Sequence, residues 1–244
     1  MANMKAFNDD ELVREAFRSA TSEIVTRIAS NEYYQILSRG RGSVEALMRW
    51  LLRDIDVKVS YATLGFPDKL ILLVLAILHE LPEMERQSWL DRLFLSVGVG
   101  ANLEEMHVWE QDIEWLLLHP FVGVINEVPL QSARQAVKEV ARLILADSHD
   151  YDEWMKARWA VNQSKRELFA DAEVKGELTS PMGSEVPAIA AIYVALAITN
   201  LGAGVDAGID LRTHILFIVS TASSSVPIKQ QADALIALVR GGTP

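Results

Sequence analysis

From Val44 onward, the apolar residues of SVEALMRWLLRDIDVKVSY return at every third or fourth position: Val44, Leu47, Met48, Leu51, Leu52, Ile55 and Val59. A helix turns once in about 3.6 residues, so this spacing lines one face of a helix. Ile55, Val57, Val59 and Tyr61 also alternate as in a strand, but the helical run is longer and meets a natural stop at Gly65. The same period recurs along the chain. Pro67, Pro82, Pro129, Pro187 and Pro227 each precede such a run, where a proline without an amide hydrogen is tolerated. Asn8 with Glu11, Asn102 with Glu105, and Asp150 with Glu153 have capping-box spacing. About ten helices are predicted, over 8–29, 43–62, 67–80, 82–97, 102–119, 129–147, 150–174, 184–200, 209–223 and 227–240.

The expected fold is therefore all-α: one domain of 244 residues, an irregular helical bundle with an internal break near 175–186. After Gly176 only three basic and five acidic residues follow, so the last helices are apolar nearly all round. Such helices pack centrally, buried on several sides. The uncharged stretch 186–205 is long enough to span a bilayer. Asn200, Gly202 and Gly204 within it, and the few cations flanking it, point instead to a core helix.

With no cysteine, the chain has neither disulfides nor thiolate ligands, which fits a reducing, cytoplasmic setting. No apolar signal core opens the sequence. The net charge of −10 argues against a nucleic-acid partner, which calls for a basic face. The acid is concentrated: residues 80–127 hold ten carboxylates against Arg86 and Arg92. A surface of that sign suits a basic protein.

Within that segment, EEMHVWEQDIEW (104–115) packs five carboxylates and a histidine into twelve residues. Asn102 as the cap would place Glu104 and Glu105 in a first helical turn, where the helix dipole favours them. Met106, Trp109, Ile113, Leu116 and Leu117 would form the core stripe, with His107, Glu110 and Glu114 on one flank. Val108 and Trp115 fall opposite that stripe. Either the helix is covered on both sides, or it exposes a tryptophan among acids, as interface hot spots do.

Metal chemistry is the rival reading. Glu104-x-x-His107 has the spacing found in di-iron carboxylate bundles, although no second such motif accompanies it. The adjacent pair His149–Asp150 resembles that of the helical metal-dependent phosphohydrolases. The resemblance implies a distant histidine and a later aspartate as further ligands, for which His79 or His107 and Asp171 can be nominated. The simpler account has Asp147 and Ser148 ending one helix while Asp150 caps the next. SRGRGS (38–43) places Arg39 and Arg41 before a helix, where they could meet an anion.

The leading expectation is thus a soluble, acidic protein-binding module, for instance an inhibitor or immunity-type protein that neutralises a basic partner. Glu104, Glu105, Glu110, Asp112 and Glu114 would steer association, and Trp115 would be the buried anchor. No cofactor is expected in this reading. The alternative is a metal-dependent helical hydrolase with a divalent ion held by His107, Glu110, His149 and Asp150. Lys156, Arg158, Lys165 and Arg166 make a local basic patch in an acidic chain, which favours a homo-oligomer.

Overall fold

The computed structural model describes residues 5–30, 33, 43–55, 59–180, 182–183, 186–204 and 211–244. Arg39, Arg41 and Val205 lie outside them. The fold is all-α, with no strand among the described residues. Among the described residues twelve α-helices follow in order: α1 Glu11–Ser19, α2 Thr21–Ile28, α3 Val44–Leu51, α4 Tyr61–Leu64, α5 Asp68–Glu80, α6 Glu83–Ser96, α7 Val108–Leu118, α8 Gln131–Leu145, α9 Tyr151–Lys175, α10 Pro187–Ala203, α11 Leu211–Ala222 and α12 Ile228–Val239. Short 3-10 turns form at Ala6–Asp9 and Val124–Glu127.

Two compact units result, one of residues 1–109 with 232–244 and one of residues 110–231. In the first, Phe7, Phe17, Phe66 and Phe94 form a cluster with ring centroids 5.6 to 6.5 Å apart. Most pairs meet edge to face, the arrangement the ring quadrupole favours. The 3-10 turn bearing Phe7 packs on α4, and α1 and α2 pack on α6. Helix α5 is buried continuously from Leu70 to Leu78, as its unbroken apolar sequence requires. Late in the chain, α12 brings its Ala232 carbonyl to the Trp89 indole, which donates at 3.0 Å.

The second unit is organised around α10, which packs against α8, α9, α11 and the 3-10 turn at Val124. Its mainly apolar faces are covered on several sides, so the stretch with bilayer-like composition is a core helix. Among the described residues no helix is long and apolar enough to cross a membrane. Trp154 of α9 lies against α10, its indole donating to the Ser148 carbonyl at 2.7 Å. Gly202 permits this approach: a Cβ there would stand 2.3 Å from a Trp154 ring carbon.

Two starts and one end differ from those the sequence suggested. The helix predicted over 43–62 stops at Leu51, Asp54 takes a left-handed φ of 60°, and a separate α4 begins after the Ser60 cap. Asn8 sits at φ 51° inside the first 3-10 turn, and Asp10 caps α1 instead, accepting from the Leu12 amide at 2.8 Å. The helix expected from residue 102 begins only at Val108, for a reason that shapes the candidate site.

Candidate functional site

The Asn102 cap forms, its Oδ1 accepting from the Glu105 amide at 3.1 Å, but it serves a single turn. His107 takes a left-handed φ of 50° and ends that turn. The His107 amide returns to the Glu104 carbonyl at 3.0 Å and the Val108 amide to the Leu103 carbonyl at 3.5 Å, the paired closure of a Schellman motif. The left-handed residue breaks the helical register. His107 therefore does not share a helix flank with Glu110 and Glu114, and the expected trio is not assembled. Glu104 and Glu105 are exposed on the short turn, in the first unit.

From Val108 onward α7 is covered on more than one side. Trp109, Ile113, Leu116 and Leu117 are buried as the stripe requires, and so is Val108 from the face expected to be wet. Met106 is half-buried. Asp112 is the departure with most consequence. It is only 4% exposed, so it is not available to steer a partner. Its Oδ1 is buried without a hydrogen-bond partner, and burial pushes its carboxyl up to about 7. A carboxylate removed from water and left unpaired costs several kcal/mol, so the neutral form is favoured.

Trp115 is half-buried, which neither simple expectation anticipated. Its indole Nε1 is buried and finds no acceptor. The indole ring contacts the His119 imidazole at 5.6 Å between centroids, and His119 contacts Phe121 at 6.0 Å. His119 is held in place through Nδ1, which accepts from the amides of Phe121 and Val122 at 3.4 and 3.3 Å. Phe121, at the open end of this aromatic series, is 86% exposed. Glu110 and Glu114 are half-exposed on α7, and Glu127 is exposed beyond the following turn. Sequence reasoning missed Phe121 because it follows Pro120 in a connector, where no periodicity signals a face.

The second pair, His149–Asp150, is engaged in helix termini. Asp147 closes α8 in the left-handed conformation (φ 44°), and His149 Nδ1 donates to the Asp147 carbonyl at 2.6 Å. Asp150 caps α9, accepting from the Asp152 and Glu153 amides at 2.8 and 3.2 Å. Both residues are exposed. His107, Glu110, His149 and Asp150 are not brought together, and no group of three or more metal-ligating side chains gathers among the described residues.

No family model, curated protein or solved structure matches the chain.

Proposed function

We propose that this protein is a protein-binding module that engages a basic partner through the surface around Phe121. The observation that carries the reading is the Trp115–His119–Phe121 series, which ends in a phenylalanine exposed at 86%. An exposed phenylalanine supported by packed rings provides apolar contact area at small entropic cost, as binding anchors do. Glu110, Glu114 and Glu127 belong to the same unit and, on α7 and the 3-10 turn after it, contribute negative charge. Complementary charge of this kind speeds encounter with a cationic surface and rejects acidic ones. Glu104 and Glu105 remain in the proposal as exposed carboxylates of the first unit. Asp112 leaves it, and the anchor role passes from Trp115 to Phe121. Inhibition of the basic partner is the concrete form we favour.

The test is affinity purification from the native source with three baits: the wild type, Phe121→Ala, and the double variant Glu110→Gln/Glu114→Gln. A basic protein retained by the wild type should be lost with Phe121→Ala. The double variant should bind it more slowly, and that association rate should depend less on salt. A partner that binds all three baits alike, or one that is acidic, would refute the surface.

A further inference from the structure

A different part of the second unit carries an opening. Tyr193, Leu196, Ala197 and Asn200 recur at helical spacing along α10, and Thr213, His214 and Phe217 do so along α11. Where two such stripes interdigitate fully they leave no space. Here they border a cleft of about 220 Å³. This is below the roughly 300 Å³ at which drug-sized pockets begin, so it suits one or two fused rings.

The cleft is built. Tyr193 is held edge-on between Phe169 of α9 and Phe217 of α11, with centroids 6.5 and 6.3 Å apart and interplanar angles of 87° and 88°. Burial raises the Tyr193 hydroxyl above its ordinary range, so this wall stays neutral. Leu196 and Ala197 supply an apolar lining. His214, only 6% exposed, brings an imidazole into the lining.

Two cations of α9 touch residues of the lining without lining the cleft themselves. The Lys165 ammonium lies 5.6 Å from the centroid of the Tyr193 ring, and the Arg158 Nε donates to Asn200 Oδ1 at 2.7 Å. Among the described residues neither cation is ion-paired to a carboxylate, and no acidic side chain lines the cleft. Because Arg158 occupies the Asn200 carbonyl oxygen, Asn200 has its amide NH2 to offer. Thr213 adds a hydroxyl. The lining thus offers the Asn200 NH2 donor and the Thr213 and Tyr193 hydroxyls, with the Lys165 cation beside the Tyr193 ring, which suits a flat ring carrying an acceptor with negative charge.

We infer that the α10–α11 cleft is a binding site for a small planar aromatic carboxylate. The ring packs in the cleft against Tyr193 and Phe217, and the carboxylate faces the Asn200 amide and Lys165. This site shares no residue with the Phe121 surface and stands independently of it.

The probe is 2-naphthoate, titrated into the full chain by calorimetry and by ligand-observed NMR. Its neutral counterpart 2-naphthamide and the non-aromatic cyclohexanecarboxylate serve as comparisons. Saturable binding to one site is expected, with each comparison compound weaker by about tenfold, a factor worth about 1.4 kcal/mol. Phe217→Ala and Lys165→Gln should each weaken 2-naphthoate by roughly five- to tenfold. Phe217 is 39% exposed and Lys165 half-exposed, so both variants are expected to fold, and a thermal melt checks this. Absence of saturable binding would overturn the inference. So would equal affinity for the amide, or affinity unchanged in Lys165→Gln.

Discussion

Asp112 and Trp115 stand three residues apart on α7, and each buries a polar atom, Oδ1 and Nε1 respectively, that meets no hydrogen-bond partner. Residues at this spacing are neighbours on a helix surface. A buried acceptor and a buried donor are thus held close in sequence and left unsatisfied, each at a cost of about 1–3 kcal/mol or more. Such a pair makes the helix sensitive to pH and to small changes in side-chain chemistry.

Asp112 should make the fold less stable as pH rises. Its carboxyl is raised from 3.8 to about 7 in the folded state. Below the unfolded value both states hold the proton and no difference arises. As pH climbs from 3.8 toward about 7 the unfolded chain releases a proton that the folded chain retains, so stability falls. Above that range the penalty is constant, on the order of 4 kcal/mol as an upper bound. The variant Asp112→Asn lacks the titration, so its melting temperature should exceed that of the wild type by a margin that widens from pH 4 to pH 7. A constant difference across that range would exclude Asp112 as the titrating group.

Trp115 separates packing from hydrogen bonding. Trp115→Phe keeps a ring beside His119 and removes the unpaired indole hydrogen, so its stability in urea should match or exceed the wild type. Trp115→Ala removes the ring and should cost up to about 3 kcal/mol, less than for a fully buried tryptophan. A Trp115→Phe variant destabilised as strongly as the alanine would mean that the indole hydrogen has a partner.

Phe121 should be silent for folding. At 86% exposure its replacement by alanine should change stability by no more than about 0.5 kcal/mol. Binding of the basic partner should nevertheless fail. A large loss of melting temperature in Phe121→Ala would show that the residue packs within the fold, which would remove it as a docking anchor.

Gly202 is fixed by its neighbour. An alanine methyl there would stand 2.3 Å from a Trp154 ring carbon, so α9 and α10 would have to separate. Gly202→Ala should cost about 1–3 kcal/mol, although alanine is the better helix former. The paired change Gly202→Ala/Trp154→Leu should recover part of that loss. If chemical denaturation shows the single variant to be neutral, the close approach is not as described.

Asp150 tests the helix-cap account of the His149–Asp150 pair. Asp150→Ala should cost about 1 kcal/mol by removing the acceptor for two amides of α9. Asp150→Asn and Asp150→Ser should restore most of it, because both are good caps. If neither does, the carboxylate has a role beyond capping.

Much of this molecule is written in its sequence. The all-α class, the position of most helices and the burial of α10 follow from periodicity, prolines and charge-free composition, which are local properties that an isolated segment already carries. The cap at Asp150 was legible for the same reason, since a carboxylate and two amides meet within three residues. The register of the acidic stretch was not. Nothing in EEMHVWEQDIEW says that His107 adopts a left-handed conformation, so one helix was expected where a closed turn and α7 follow each other. Burial of Asp112, and only partial burial of Trp115, depend on what covers α7, and helical spacing records a residue's angle around its own axis rather than its neighbours. Tertiary structure likewise decided the α10–α11 cleft: Lys165, Tyr193 and Phe217 are distant in sequence, and only the packing of three helices brings their charge and rings to one opening.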